Sequence, residues 1–281
     1  MKFGINTILF ASPFKDESLK YFEKFKEWGY DGVEITIENK GDINYKKTLY
    51  KLDENNLSCT SIGGAFGPDR DLRGTKNQQQ NSRQYIRDCI DACVALRCGL
   101  FMGPFFSSVG RANMETDEAR KEQWSTVMKN LKEVCKYAEE KGVYMALEPL
   151  NRFETDFINT CYQARRMVGN VGSPMLKIHL DTFHMNIEEK SLSRAIIDAG
   201  DLLYNVHASE NDRGTPGTGH VDWSGVKNSL KKIGYDKAIV IESFTKDVKI
   251  IAKAASIWRD IEKSNEDLAI NGIKFLRSFF H

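Results

Sequence analysis

Apolar positions along the chain fall into two alternating rhythms. Compact apolar runs, rich in β-branched residues, stand at residues 3–8, 32–36, 57–62, 100–102, 143–147, 176–180, 203–207 and 238–242. These eight runs read as strands. Between them apolar residues recur every three to four positions, which predicts helices over 17–28, 45–55, 82–96, 116–141, 160–168, 192–199, 223–233 and about 250–279. Strict alternation of the two patterns predicts parallel strands joined by crossover helices. Gly29, Gly142 and Gly234 each follow a predicted helix and precede a predicted strand, the place where a left-handed residue ends a helix.

Eight strand–helix units in 281 residues average about 35 residues each, which matches a (β/α)8 TIM barrel of ordinary size. The other α/β architecture, a doubly wound sheet, calls for a glycine-rich phosphate loop after the first strand. The sequence there is Leu9-Phe10-Ala11-Ser12-Pro13, which has none. No linker or charge block divides the chain, so a single barrel domain over residues 1–281 is expected.

Charge narrows the function classes. The chain carries 40 Lys and Arg against 39 Asp and Glu, a formal net charge of +1. Wrapping nucleic acid needs a basic face, and none is written here. The longest apolar runs fall far short of the roughly 20 residues needed to span a bilayer. Polar residues interrupt the only apolar stretch at the N-terminus, which makes it a poor secretory signal. Of the six cysteines, Cys89 and Cys93 share a helical face, but two thiols without a nearby histidine are a poor zinc site. Buried free thiols in a reducing cytoplasm are the simplest expectation.

Several predicted strands end in groups that a structural role does not require. The fifth runs into Glu148, the sixth into Asp181, the seventh into His207 and the eighth into Glu242. Each is offset from the next by about one repeat, so consecutive strands carry them to the C-terminal rim, where barrel enzymes keep their active sites. Three carboxylates and an imidazole converging there make a mixed oxygen and nitrogen donor set, suited to Mn²⁺, Co²⁺ or Mg²⁺. Without a cation the carboxylates repel one another and raise each other's pKa. Taken singly these residues have plainer readings: Asp181 can cap the following helix, and His207 can be an ordinary hydrogen-bonded side chain. Asn151, Arg152 and Glu154, then His184, then Arg213 follow these strand ends closely. They offer hydrogen bonds to a small polyhydroxylated ligand.

The strings that carry these residues are Glu148-Pro149-Leu150-Asn151-Arg152-Phe153-Glu154, Leu180-Asp181-Thr182-Phe183-His184-Met185-Asn186-Ile187-Glu188-Glu189, His207 to Arg213 with Gly217-Thr218-Gly219, Glu242-Ser243-Phe244, and Ile257-Trp258-Arg259-Asp260. The sequence resembles the ketose 3-epimerase family, the D-tagatose and D-psicose (D-allulose) 3-epimerases of the xylose isomerase-like TIM barrels. The resemblance implies that Glu148, Asp181, His207 and Glu242 bind a divalent metal, Mn²⁺ ahead of Co²⁺ or Mg²⁺. It implies that Glu148 and Glu242 form the acid/base pair and that Glu154, His184 and Arg213 hold the substrate. A homodimer or homotetramer acting on a small ketose, with no nucleic-acid or membrane partner, is what such a family member would be.

Members of that family often place aromatic side chains at the end of the first strand and after the fourth. Here those places hold Asn6 and Phe10, then Phe105 and Phe106, so the grip on the distal end of the sugar is expected to differ. Arg70, Arg73 and Arg111 near predicted rim loops can meet a phosphate or stand solvated. The same chemistry moved to C1 and C2 gives an aldose–ketose isomerase. A metal-dependent phosphodiesterase, which wants more metal ligands and a basic groove, and a non-catalytic sugar-binding protein are the readings from other classes.

Overall fold

The computed structural model describes residues 1–280. All eight expected strands form: β1 (Lys2–Asn6), β2 (Gly32–Ile37), β3 (Ser58–Gly64), β4 (Leu100–Gly103), β5 (Tyr144–Leu147), β6 (Leu176–Asp181), β7 (Leu203–Ala208) and β8 (Ala238–Ile241). Each pairs in parallel with its neighbour in sequence, and β8 pairs back onto β1, which closes the TIM barrel. The helices are α1 (Tyr21–Trp28), α2 (Tyr45–Glu54), α3 (Lys76–Ala95), α4 (Asp117–Lys141), α5 (Cys161–Val171), α6 (Thr182–Glu188), α7 (Leu192–Ala199), α8 (Trp223–Lys232), α9 (Lys249–Ala254) and α10 (Asn265–Phe280).

Side-chain alternation assigns the two faces of the sheet. Phe3 turns outward and its ring meets Phe280 of α10 at 6.3 Å. Asn6 and Glu34 turn inward, and Glu34 reaches Asn205 and His207 of β7 across the barrel. Two register shifts help to place buried polar groups. One, between Val33 and Glu34, sets Ser61 opposite Glu34, and the other, between Ile178 and His179, sets His179 opposite Asn205. Such irregularities re-aim side chains near active sites.

Helix ends follow the local chemistry. Gly29 and Gly142 end α1 and α4 in the left-handed conformation, as expected. α3 starts earlier than the apolar spacing indicates, because Thr75 and Gln78 form a capping box ahead of it. The predicted first strand is cut short, since Thr7–Leu9 turns into a 3-10 helix capped by the Asn6 side chain. The expected single C-terminal helix is two helices. α9 stops before Ser256, whose φ is +58°, and α10 restarts where the Ser264 hydroxyl accepts from the Asp267 N–H at 3.0 Å.

α10 seals the barrel where its first and last strands meet. The Tyr30 hydroxyl donates to the Ala269 carbonyl at 2.7 Å, and Gly272 leaves room for the Ile241 side chain. All six cysteines are free thiols; Cys59 is half-buried and the other five are buried. Among the described residues no helix is long and apolar enough to cross a membrane.

Candidate active site

Glu148 lies just past β5, its N–H donating to the Gly103 carbonyl at 3.1 Å. Asp181 ends β6, directly opposite His207 in the β6–β7 register. Glu242 follows the last residue of β8. The four side chains each offer one donor atom, and these atoms all lie within 4.8 Å of one another. The helix-capping reading of Asp181 is realised, and its second oxygen remains turned to the cluster. Its Oδ1 accepts from the Phe183 N–H at 2.8 Å and caps α6, while Oδ2 faces the cluster and accepts from Arg213 Nη1 at 2.6 Å.

His207 shows whether this cluster suits a cation. Its ring is fully buried, and Nε2 meets Glu34 Oε1 at 2.7 Å. Nδ1 faces Glu242 Oε2 at 3.3 Å and has no hydrogen-bond partner among the described residues. A buried nitrogen without a partner, aimed at three carboxylates, is the arrangement that a divalent cation completes. The donor set therefore fits a divalent metal.

The electrostatics separate the two glutamates. Burial, reinforced by the Glu242 charge, pushes the Glu148 carboxyl up to about 8. Burial also acts on Glu242, but the His207 and Arg213 charges outweigh it and hold that carboxyl well below the usual range. Burial and neighbouring charge thus drive the two carboxyls of the pair in opposite directions. Burial raises Asp181 as well, against the opposing pull of Arg213. His207 is driven well above its ordinary value, because Glu34 and Glu242 overcome the cost of burial.

The expected substrate-holding residues gather at the same cluster. Both the N–H and the side-chain amide of Asn151 approach His184 Nδ1, at 3.1 and 2.9 Å. Because a backbone N–H can only donate, Nδ1 accepts there, and on the other side of the ring Nε2 faces Arg213 Nη2 at 3.2 Å. Nε2 points inward, 3.8 Å from both Glu148 Oε1 and Asp181 Oδ2. Glu154 accepts from the Asn151 amide at 2.8 Å and is raised by burial. Arg213 sits between the Phe183 and Phe244 rings, 4.0 and 4.7 Å from their centroids. Its backbone adopts φ +66°, held where the Ser243 hydroxyl donates to its carbonyl. That strained conformation aims the guanidinium at Asp181 and, at 3.2 Å, Glu242.

A cavity of about 360 Å³ opens on this cluster, a volume suited to a small sugar. Its polar wall holds Glu148, Glu154, His184, Arg213 and Glu242, and its apolar wall includes Ile8, Phe66, Pro104, Val109 and Phe244. Phe10 packs instead against Tyr21, Phe25 and Trp28, and Phe105 and Phe106 are fully buried beside Phe101 and Phe157. Of those four N-terminal candidates only Asn6 lines the cavity among the described residues. The three arginines are engaged elsewhere. Arg70 donates to backbone carbonyls and stacks on Tyr85, Arg73 pairs with Asp156, and Arg111 pairs with Asp71 and Glu115.

Sequence reasoning passed over Glu34, Ser61, His179 and Asn205. All four are buried on strands, and for Glu34, His179 and Asn205 the signal was a polar side chain flanked on both sides by apolar residues. His179 Nε2 lies 3.3 Å from Glu148 Oε1, and its ring is held well below its ordinary value, near 3, by burial and by His207.

A family profile described as a xylose isomerase-like TIM barrel matches residues 22–279. A probable ketose 3-epimerase of Synechocystis sp. is 32% identical across the whole of this chain and 97% of its own length. The chain belongs to the xylose isomerase-like TIM barrel family, among its ketose 3-epimerases. An L-ribulose 3-epimerase of Mesorhizobium japonicum is 34% identical to this epimerase over 98% of the chain and 93% of its own length. A crystal structure of the D-psicose 3-epimerase of Clostridium cellulolyticum with D-tagatose superimposes with a TM-score of 0.90 at 29% identity, covering both chains fully. Membership makes the protein a carbohydrate epimerase of the isomerase class.

Proposed function

We propose that the protein interconverts C3 epimers of free ketoses, such as D-tagatose and D-sorbose, D-fructose and D-psicose, or ketopentoses, with the aid of one divalent metal ion. Glu148, Asp181, His207 and Glu242 hold the metal; their mixed oxygen and nitrogen donor set suits Mn²⁺, Co²⁺ or Mg²⁺, and family resemblance puts Mn²⁺ first. When bound, the ion supplies Lewis-acid stabilisation of the negative charge that develops beside the reacting carbon. The observation that carries this reading is the convergence of these four donors with a divided pair of glutamates at one wall of a sugar-sized cavity.

Epimerisation removes the C3 proton, which is alpha to the C2 carbonyl, and returns a proton to the opposite face. Glu148 and Glu242 come from β5 and β8, on different sides of the rim, so each addresses one face of the planar enediolate. One accepts the proton from C3 while the other delivers one, and the roles exchange for the reverse reaction. His184 presents its imidazole, Arg213 its guanidinium and Glu154 its carboxyl to the substrate hydroxyls. The enclosing Phe66, Phe244 and Pro104 exclude water from the intermediate.

A single barrel unit located in the cytoplasm completes the proposal, supported by the free thiols. Assembly as a homodimer or homotetramer is supported by the exposed aromatic side chains of Phe153 and Trp258. The test is a panel of free and phosphorylated ketoses, assayed after exhaustive chelation and again after adding Mn²⁺. Turnover of free ketoses that disappears and returns with the metal is expected. Undiminished turnover after chelation would remove the metal from the account.

A further inference from the structure

Glu34 stands outside the roles assigned so far. It lies on β2, is fully buried, and its carboxylate collects four donors from three other strands. Asn6 Nδ2 of β1 donates to Oε1 at 2.8 Å, the Ser61 hydroxyl of β3 donates to Oε2, Asn205 Nδ2 of β7 donates to Oε2 at 3.0 Å, and His207 Nε2 meets Oε1 at 2.7 Å. Glu34 collects hydrogens from both amides and from the Ser61 hydroxyl, as an ionised carboxylate does, and such a group only accepts, so the His207 partner is also an N–H. Nε2 of His207 is thereby committed to Glu34, and Nδ1 is the nitrogen left facing Glu242.

A second link runs through Asn6. The same amide nitrogen that donates to Glu34 also donates to Glu242 Oε1 at 3.0 Å, and its oxygen is fixed by the Thr36 hydroxyl at 2.9 Å and the Ile8 N–H at 3.0 Å. Two of the four metal-facing side chains are therefore oriented from one buried carboxylate, His207 directly and Glu242 through Asn6. A carboxylate behind a metal-ligating imidazole fixes its tautomer and ring orientation and strengthens it as a ligand.

We propose that Glu34 is the positioning residue of the metal site, selecting Nδ1 of His207 as the ligand atom and, through Asn6, setting the orientation of Glu242. This rests on the metal reading given above. If Glu34 only bridged strands, its loss would weaken the fold and leave metal binding as it was.

The test compares Mn²⁺ affinity, by calorimetry on the metal-stripped protein, for the unaltered chain and for Glu34→Gln. The amide keeps the size but turns an NH₂ group toward donors. A loss of roughly 10- to 100-fold in affinity, with a native circular dichroism spectrum, is expected. Equal affinities for the two proteins would overturn the proposal. Should the variant fail to fold, the unaltered protein decides. With ¹⁵N-labelled histidine and ¹¹³Cd²⁺ as the probe, metal coupling is expected at His207 Nδ1 with a proton on Nε2, and coupling at Nε2 overturns the proposal. An unaltered protein that binds neither Mn²⁺ nor Cd²⁺ would instead bring down the metal reading itself.

Discussion

Glu148 and Glu242 are chemically the same side chain, yet burial and neighbouring charge drive them in opposite directions. If they are the two proton-transfer groups, Glu148→Gln and Glu242→Gln should each lower kcat by on the order of 10³-fold, with native circular dichroism. Steady-state kinetics on metal-saturated variants checks this, and near-normal kcat in either would contradict the assignment. The same electrostatics fix a pH dependence. Glu148, raised to about 8, and His207, raised by Glu34 and Glu242, both carry a proton at pH 7 in the cation-free protein. A cation competes with protons for these donor atoms, so low pH opposes binding. Mn²⁺ affinity should therefore climb roughly tenfold or more per pH unit as pH rises from 6 towards 8. Calorimetry in buffers of different ionisation enthalpy should also show protons released on uptake at pH 7. An affinity that is constant from pH 6 to 8 would contradict the shifts. At this scale the rim residues were legible because each stands at the end of an apolar run. Glu34 and His179 were not, because they interrupt strands from within, and only the closed barrel shows what they face.

Single elements set the geometry around those residues. The segment from Ser209 to Val221 is organised by Glu210, a fully buried carboxylate that accepts from the Trp223 indole at 2.8 Å and from the Gly217 and Val221 N–H groups at 3.0 and 3.1 Å. That loop carries Arg213 in its strained conformation. Gly217 within it has φ +90°, and a Cβ there would fall 2.4 Å from Phe275 Cδ2 of α10. Gly217→Ala should therefore destabilise the protein by about 1–3 kcal/mol, read as a lower urea midpoint. An unchanged midpoint would show that the loop and α10 adapt freely. Strand and helix order was readable from periodicity, and boundaries mostly shifted by a few residues. α6 escaped because its seven residues follow Asp181 without a period long enough to register. The C-terminal pair merged in the sequence because apolar residues continue through the irregular turn between α9 and α10.

At the scale of the whole molecule, eight repeats carry chemistry contributed by several strands to one rim. The closed order of the sheet brings β8 back to β1, which is why Asn6, at the start of the chain, touches Glu242 near its end. Repeat counting made the barrel legible. The sequence strings indicated the chemistry, while the shape of the cavity beyond the polar wall depended on packing that the strings do not encode. Phe10, Phe105 and Phe106 turn into the core, and Phe66, Val109 and Phe244 take up the cavity wall. The central claim is metal-dependent proton exchange at C3, and one experiment addresses it most directly. The protein is incubated with a free ketose and Mn²⁺ in deuterated water, and the position of the incorporated deuterium is read by NMR, with a chelated sample beside it. Deuterium at C3 of both epimers, and none in the chelated sample, is the predicted result. Deuterium at C1 alone, or the same incorporation at C3 without metal, would contradict the account.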